Sequence, residues 1–192
     1  VHGGNIYKSC IITKKIINRI KDFCELAPLH NPVNLKGIHG AQKALPGIPH
    51  IAVFDTSFHQ TMPEHAYVYA IPYEYCTKHG IRRYGFHGTS HRYVSMRAAR
   101  LMKKNFKKIN IITCHLGKSA SVCAIDHGRS IDTSMGLSPA DGLLMDTRCG
   151  DLDPTAVLYL CKEKKLSSEV EEILIKESGL KGVSGVSSDM LE

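Results

Sequence analysis

Four short polar stretches carry the residues able to do chemistry. The first is Gly117-Lys118-Ser119, set between two β-branched runs. Gly117 has no Cβ, and its N–H with those of Lys118 and Ser119 offers a close approach to an anion, for which phosphate is the natural candidate. The second is Asp55, a carboxylate at the carboxyl end of the apolar run from His50 to Phe54. Open sheets place their ligands there, although such an aspartate also caps turns. The third is His87, in the loop from Arg82 to His91, where an imidazole serves as a donor near an anion or as a buried, satisfied side chain. The fourth is Arg148, whose planar fork suits phosphate oxygens and equally suits a pairing with Asp151 or Asp153.

The turn is neither a Gly-x-x-x-x-Gly-Lys-Ser/Thr loop nor a Gly-x-Gly-x-x-Gly fingerprint. His87 and His91 have the four-residue spacing of zinc hydrolases, but His87 precedes the helix and no glutamate follows it, which argues against zinc. The seven cysteines include no Cys-x-x-Cys pair. They lie mostly in apolar runs, as Cys114 and Cys123 do, and read as buried reduced thiols.

The elements that must position these residues follow from periodicity. Residues 109–113, 120–125 and 130–134 read as three adjacent antiparallel strands joined by tight turns at 117–119 and 126–129. Residues 1–4 read as a strand end entering a glycine turn. Apolar stripes predict helices over 9–26 and 34–45, separated by a proline-stiffened link that presents His30 and Asn31. A short buried strand is expected over 50–54, and an extended, proline-broken aromatic segment over 67–75. A helix starting near His91, capped by Thr89 or Ser90, runs to Met102. Further helices are expected over 155–162, 167–176 and 178–189, with Asp151 or Asp153 as a cap of the first.

The 192 residues suffice for one substantial core, or one large domain with part of a second. No apolar run reaches membrane-spanning length and no charged-then-apolar leader opens the chain, so a cytoplasmic protein with no membrane partner is expected. The net charge of +7 suits an anionic substrate. Its lysines are scattered and lack interleaved aromatics, so nucleic acid is not an expected partner.

Several long stretches, in order, closely resemble the acetate kinase (acetokinase) family of the actin and sugar-kinase superfamily. They are His50 to Tyr67 (HIAVFDTSFHQTMPEHAY), Arg83 to Val94 (RYGFHGTSHRYV), Ile112 to Gly117 (ITCHLG), Asp132 to Gly136 (DTSMG), Thr147 to Pro154 (TRCGDLDP) and Ser184 to Met190 (SGVSSDM). The resemblance implies an α/β, ribonuclease-H-like (actin-like ATPase) fold, a mixed sheet with flanking helices, incomplete at both ends. Residues 1 to about 105 would be the remainder of an N-terminal, acyl-binding half and about 106 to 192 the start of a nucleotide-binding half, within a sequence about twice as long. It also implies a homodimer and reversible, Mg2+-dependent phosphoryl transfer between ATP and acetate, giving acetyl phosphate and ADP, with a propionate or butyrate kinase relative as the alternative.

Matched position by position, the resemblance implies that Asp55 is the catalytic aspartate and that His87 and Arg148 stabilise the transition state. By the same match, His115, Leu116, Gly117, Lys118 and Ser119 would form the phosphate-binding strand and turn, and Asp189, Met190 and Leu191 a nucleotide-contacting segment. Val1, Leu29 and Phe86 would form the apolar pocket for the acetate methyl group, and the match carries no metal ligand onto this chain. The chain departs from the family pattern at Lys118-Ser119, where the family has Asn-Gly, at Asp146 in place of a glycine, and at Leu191 in place of an arginine. With the family's terminal magnesium- and adenosine-contacting segments also expected outside this stretch, the isolated chain is expected to be a weak catalyst or an inactive remnant.

Overall fold

The computed structural model describes residues 1–28, 30–164 and 166–192. It contains two antiparallel sheets, β1 (Cys10–Ile11) with β2 (Ile51–Ala52), and β3 (Asn110–Leu116), β4 (Ala120–Asp126) and β5 (Arg129–Thr133) in the order β3-β4-β5. The helices are α1 (Lys14–Asp22), α2 (Asn31–Ala44), α3 (Glu64–Tyr67), α4 (Glu74–His79), α5 (Gly88–Leu101), α6 (Pro154–Lys164), α7 (Ser167–Glu172) and α8 (Gly179–Ser184).

The three-stranded sheet follows the expected alternation. Leu116 pairs with Ala120 across the Gly117–Ser119 turn, and Asp126 pairs with Arg129 across a two-residue turn. That second turn has positive φ at both His127 (49°) and Gly128 (77°), the geometry that matches strand twist. The helix expected over 9–26 is shorter. Cys10 and Ile11 pair with Ala52 and Ile51, and Thr13 ends the strand by capping α1, its Oγ1 accepting from the Ile16 N–H at 3.4 Å.

The link between α1 and α2 is not a free loop. Asn31 is fully buried: its side chain accepts from the His2 N–H at 3.0 Å and donates to the carbonyls of His2 (3.1 Å) and Ile20 (3.2 Å). That bonding starts α2 at Asn31, with proline in its first turn. Ile20, Leu35, Ala52 and Phe54 form the core of this region, with Ile16, Ile17 and Ile38 packed on it.

Three further expectations are corrected. Residues 50–54 alternate instead of being buried throughout: Ala52 and Phe54 point inward while Ile51 and Val53 are exposed. The aromatic segment is two helical turns, α3 and α4, around an irregular centre. Of the seven cysteines, all free, only Cys123 is buried; Cys114 lies on the outer face of β3 and is exposed, as is Cys161. No helix among the described residues is long and apolar enough to cross a membrane.

Candidate active site

The turn after β2 and the start of α5 are built around one carboxylate. Asp55 Oδ2 accepts from the His87 N–H at 2.8 Å, Asp55 Oδ1 from the Thr89 hydroxyl at 3.3 Å, and the Asp55 carbonyl from the Gly88 N–H at 2.9 Å. The carboxylate therefore sits at a helix N-terminus, where negative charge is favoured. Thr89 and Ser90 do not cap the helix as expected, because Asp55 reaches its first amides from another segment. His87 occupies the N-cap position with left-handed backbone (φ 58°, ψ 22°). The approach is close enough that a Cβ on Gly88 would lie 2.3 Å from the Asp55 carbonyl oxygen.

The loop before His87 is tied to β5. His59 Nε2 lies 2.9 Å from the Phe86 carbonyl, which only accepts, so this nitrogen carries the proton, and His59 Nδ1 takes the Ser130 hydroxyl at 2.8 Å. Arg83 Nη1 donates to the carbonyls of Thr133 (2.7 Å) and Ser134 (2.9 Å).

From that support the His87 ring projects into a cluster of imidazoles and hydroxyls. Its Nδ1 bonds Ser121 Oγ at 2.8 Å and its Nε2 bonds Ser119 Oγ at 2.9 Å. The His115 ring stacks on it at 3.9 Å between centroids and is held by Ser90 Oγ at 2.8 Å from Nδ1. His91, buried behind it, joins Ser121 Oγ through Nε2 and Thr113 Oγ1 through Nδ1, both at 2.8 Å. Burial, then the neighbouring His115, lowers the His87 pKa to about 4, with Asp55 opposing and Arg148 assisting. Burial and the surrounding imidazoles bring His91 to about 3, so both rings are neutral at pH 7.

Arg148 lies within electrostatic reach of this cluster but lines a different cleft, of about 650 Å³, together with His30, Pro139 and Asp141. Its Nη1 donates to the Pro139 carbonyl at 3.1 Å. Neither expected carboxylate pairs with it: Asp151 accepts from the Gly142 N–H, and Asp153 accepts from the Thr155 N–H at 2.7 Å and so caps α6. Burial lowers the arginine's pKa, and Asp146 opposes that shift. His30, also held below its usual pKa by burial and by Arg148, senses Asp55 as well.

Gly117, Lys118, Asp146, Asp189 and Met190 line a third cleft of about 600 Å³, while Leu191 is 95% exposed and outside its lining. Asp55 and Val1 face a fourth, of about 930 Å³. The residues matched to one site thus line several clefts, and His87 is linked by a hydrogen bond to Asp55 of one and by charge to Arg148 of another. Segment 145–148 separates two of them, since the Asp146 N–H donates to the Lys118 carbonyl at 3.3 Å and the Met145 N–H to that of Arg148. The Gly117 N–H is not free for an anion, because it donates to the Ser119 carbonyl at 3.1 Å.

Phe86 is buried with Ala120, Met135 and Met145, and Val1 packs against that cluster, so these two expected pocket residues do meet. Leu29 lies outside the described residues. Sequence reasoning missed Ser121, Thr113, Ser90 and the inward side of His91. The alternation along β3 and β4 places Thr113 and His115 on one face, but cross-strand register was needed to set Ser121 opposite His115.

Among the described residues, no three His, Cys, Asp or Glu side chains are grouped so as to hold a metal ion. Among the described residues, Asp55 is the carboxylate bonded to His87, and it accepts from His87 and Thr89. Two bonds leave lone pairs on this carboxylate, so Asp55 would suit a magnesium ion that keeps its waters and substrate phosphates as its other ligands.

Comparison with known proteins places the chain as a whole. The chain is 60% identical over 191 residues to the acetate kinase of Halothermothrix orenii, covering 98% of this chain and 48% of that protein. It superposes on the crystal structure of Porphyromonas gingivalis acetate kinase with a TM-score of 0.92 at 51% identity, covering all of this chain and 48% of the other. It superposes on a propionate kinase from Francisella tularensis subsp. tularensis with a TM-score of 0.94 at 48% identity, covering all of this chain and 50% of the other. The chain thus spans about half the length of the relatives it matches, and it shares their α/β, actin-like ATPase fold. With the Acetokinase family model also matching residues 1–192 from end to end, the chain belongs to the acetokinase family.

Proposed function

We propose that this chain forms part of an enzyme that transfers the γ-phosphoryl group of ATP, as its magnesium complex, reversibly to acetate. An acetate carboxylate oxygen attacks the γ-phosphorus, the bond to the β–γ bridging oxygen breaks, and ADP leaves with the electron pair as acetyl phosphate forms. Acetate is already ionised at neutral pH, so no base is needed, and the charge on the migrating group's equatorial oxygens becomes the main demand.

The observation that carries this reading is the placement of His87. Its main chain is locked by Asp55, its ring is a neutral donor, and the Arg148 guanidinium is within electrostatic reach. Of the five guanidinium N–H groups of Arg148, one is engaged with Pro139 among the described residues, which leaves others for an anion. Asp55 accepts from the His87 N–H and from Thr89, so it orients the centre and its charge offsets that of Arg148. Asp55 is the side chain here that would hold, through water, the magnesium ion carried by ATP, where the ion would neutralise charge on the phosphates.

Val1 and Phe86 bound the apolar side where the acetate methyl would pack, and the likeness to a propionate kinase makes chain length the first specificity to examine. A pocket of this kind separates acids differing by one methylene by only about 10–200-fold. On the same reading, residues 1–105 and 106–192 belong to an acyl-binding and a nucleotide-binding half, and the whole protein works as a homodimer in the cytoplasm.

The test is to supply the full-length protein with ATP, Mg2+ and acetate or propionate and trap acyl phosphate as the hydroxamate. Product well above an enzyme-free control is expected with acetate. No product with either acid contradicts the proposal.

A further inference from the structure

The hydrogen bonds behind His87 form one continuous chain, Thr113 Oγ1, His91, Ser121 Oγ, His87, Ser119 Oγ, every link between 2.8 and 2.9 Å. Both imidazoles are neutral, so each has one N–H and one bare nitrogen, and each hydroxyl has one proton. These counts leave few ways to place the protons.

If Ser119 donates to His87 Nε2, then His87 Nδ1–H points at Ser121. Ser121 must then donate to His91, and His91 Nδ1–H points at Thr113. The hydroxyl proton of Thr113, which is 4% exposed, is then left without an acceptor among the described residues. If instead His87 Nδ1–H and His91 Nε2–H both point at Ser121, the proton of that fully buried serine is stranded. If His87 Nε2–H points at Ser119 while His91 Nδ1–H points at Thr113, two bare nitrogens face the single Ser121 proton and the Thr113 proton is again stranded. The remaining order runs the other way. Thr113 donates to His91 Nδ1, His91 Nε2–H donates to Ser121, Ser121 donates to His87 Nδ1, and His87 Nε2–H donates to Ser119. The one unassigned hydroxyl proton then belongs to Ser119, which is partly exposed and can reach water. A buried donor without a partner costs enough to favour this order by about tenfold or more.

We propose that His91 is a positioning residue: through the Ser121 hydroxyl it holds His87 in the tautomer whose Nε2 carries the proton. Ser119 accepts that proton's hydrogen bond at rest, and an anionic oxygen takes its place on binding. The groups around the His87 ring are consistent with a fixed neutral tautomer: the Asp55 carboxylate and the Arg148 guanidinium act in opposite senses, and His115 covers one face. The consequence for catalysis rests on the functional reading above, since a bare Nε2 would repel a phosphoryl oxygen. The proton order itself does not.

The experiment is two-bond 1H–15N correlation on the chain labelled with 15N-histidine near pH 7, with His87 assigned by loss of its signals in His87→Gln. The expected result is a protonated Nε2 and a bare Nδ1 for both His87 and His91. A protonated Nδ1, an imidazolium or rapidly averaged shifts at His87 would overturn the proposal. Ser121→Ala should convert His87 to averaged shifts, whereas His91→Gln, which keeps an N–H facing Ser121, should preserve the Nε2–H form. An unchanged His87 tautomer in a folded Ser121→Ala would also overturn it, and if that variant does not fold, the wild-type spectrum alone decides. Failure of the full-length protein to form acyl phosphate would overturn the functional reading while leaving these nitrogen shifts intact.

Discussion

Asp146 places a carboxylate on the wall between the Arg148 and Lys118 clefts. Its Oδ1 is buried without a hydrogen-bond partner among the described residues, and its charge acts on Arg148. An uncompensated carboxylate oxygen near the cation proposed to meet phosphate raises the cost of binding an anion there. Lys118 is exposed and adds a mobile positive charge, while Ser119 occupies the His87 Nε2 that a phosphoryl oxygen would need. We therefore expect Lys118→Asn, Ser119→Gly and Asp146→Gly together to tighten ATP binding, measured by isothermal titration in the presence of Mg2+. Unchanged affinity would show that these three side chains do not limit the site. At this scale the sequence shows which residues are polar and lie in loops, and so exposes Asp55, His87 and Arg148. It does not show that Arg148 would bond Pro139 instead of Asp151, or that Ser121 would join two histidines, because both depend on rotamers and cross-strand register.

At the scale of elements, two glycines make opposite predictions. A methyl at Gly88 would meet the Asp55 carbonyl at 2.3 Å and Phe58 Cβ at 3.0 Å, and backbone there cannot yield without moving α5. Gly88→Ala should cost about 1–3 kcal/mol, as overpacking does. At roughly 2–4 °C of Tm per kcal/mol for a chain of this size, the loss is readable by thermal unfolding. At Gly117 the same methyl would find only ordinary contacts, 3.6 Å from the Ser119 carbonyl and 3.7 Å from His115 Nε2. Gly117→Ala should leave Tm within about 2 °C, the range of a surface substitution, and lower nucleotide affinity if a phosphate approaches that turn. A large Tm loss there would mean that glycine serves the fold and not the ligand. The β3-β4-β5 hairpins were legible because strict alternation and turn residues agree over long runs. β1 was not, since two residues carry no period and Cys10 and Ile11 also fit the helical stripe that follows; only pairing with Ile51 and Ala52 decides between them.

At the scale of the whole molecule, four buried or half-buried histidines are held neutral. Burial lowers His2, His59 and His87 to about 4 and His91 to about 3, from 6.5. Between pH 6.5 and 4 the unfolded chain takes up protons that the folded chain refuses, so stability is full above 6.5 and falls as pH drops through this window. The slope is at most about 1.4 kcal/mol per pH unit for each histidine, less for those partly open to water. The Tm should therefore decline from pH 6.5 to 5, before most carboxylates titrate, and a flat Tm over that range would contradict the burial of these rings.

The central claim is that His87 and Arg148, linked by charge although only Arg148 lines the 650 Å³ cleft, act on one migrating phosphoryl group. Steady-state kinetics of acetyl phosphate formation by the full-length protein tests it most directly, with His87→Ala, Arg148→Ala and the double variant. Each single variant is expected to lose roughly 10²–10³-fold in kcat, the cost of one transition-state donor. Because both stabilise the same charge, the double variant should lose less than the product of the two. Wild-type kcat in either single variant would contradict the account.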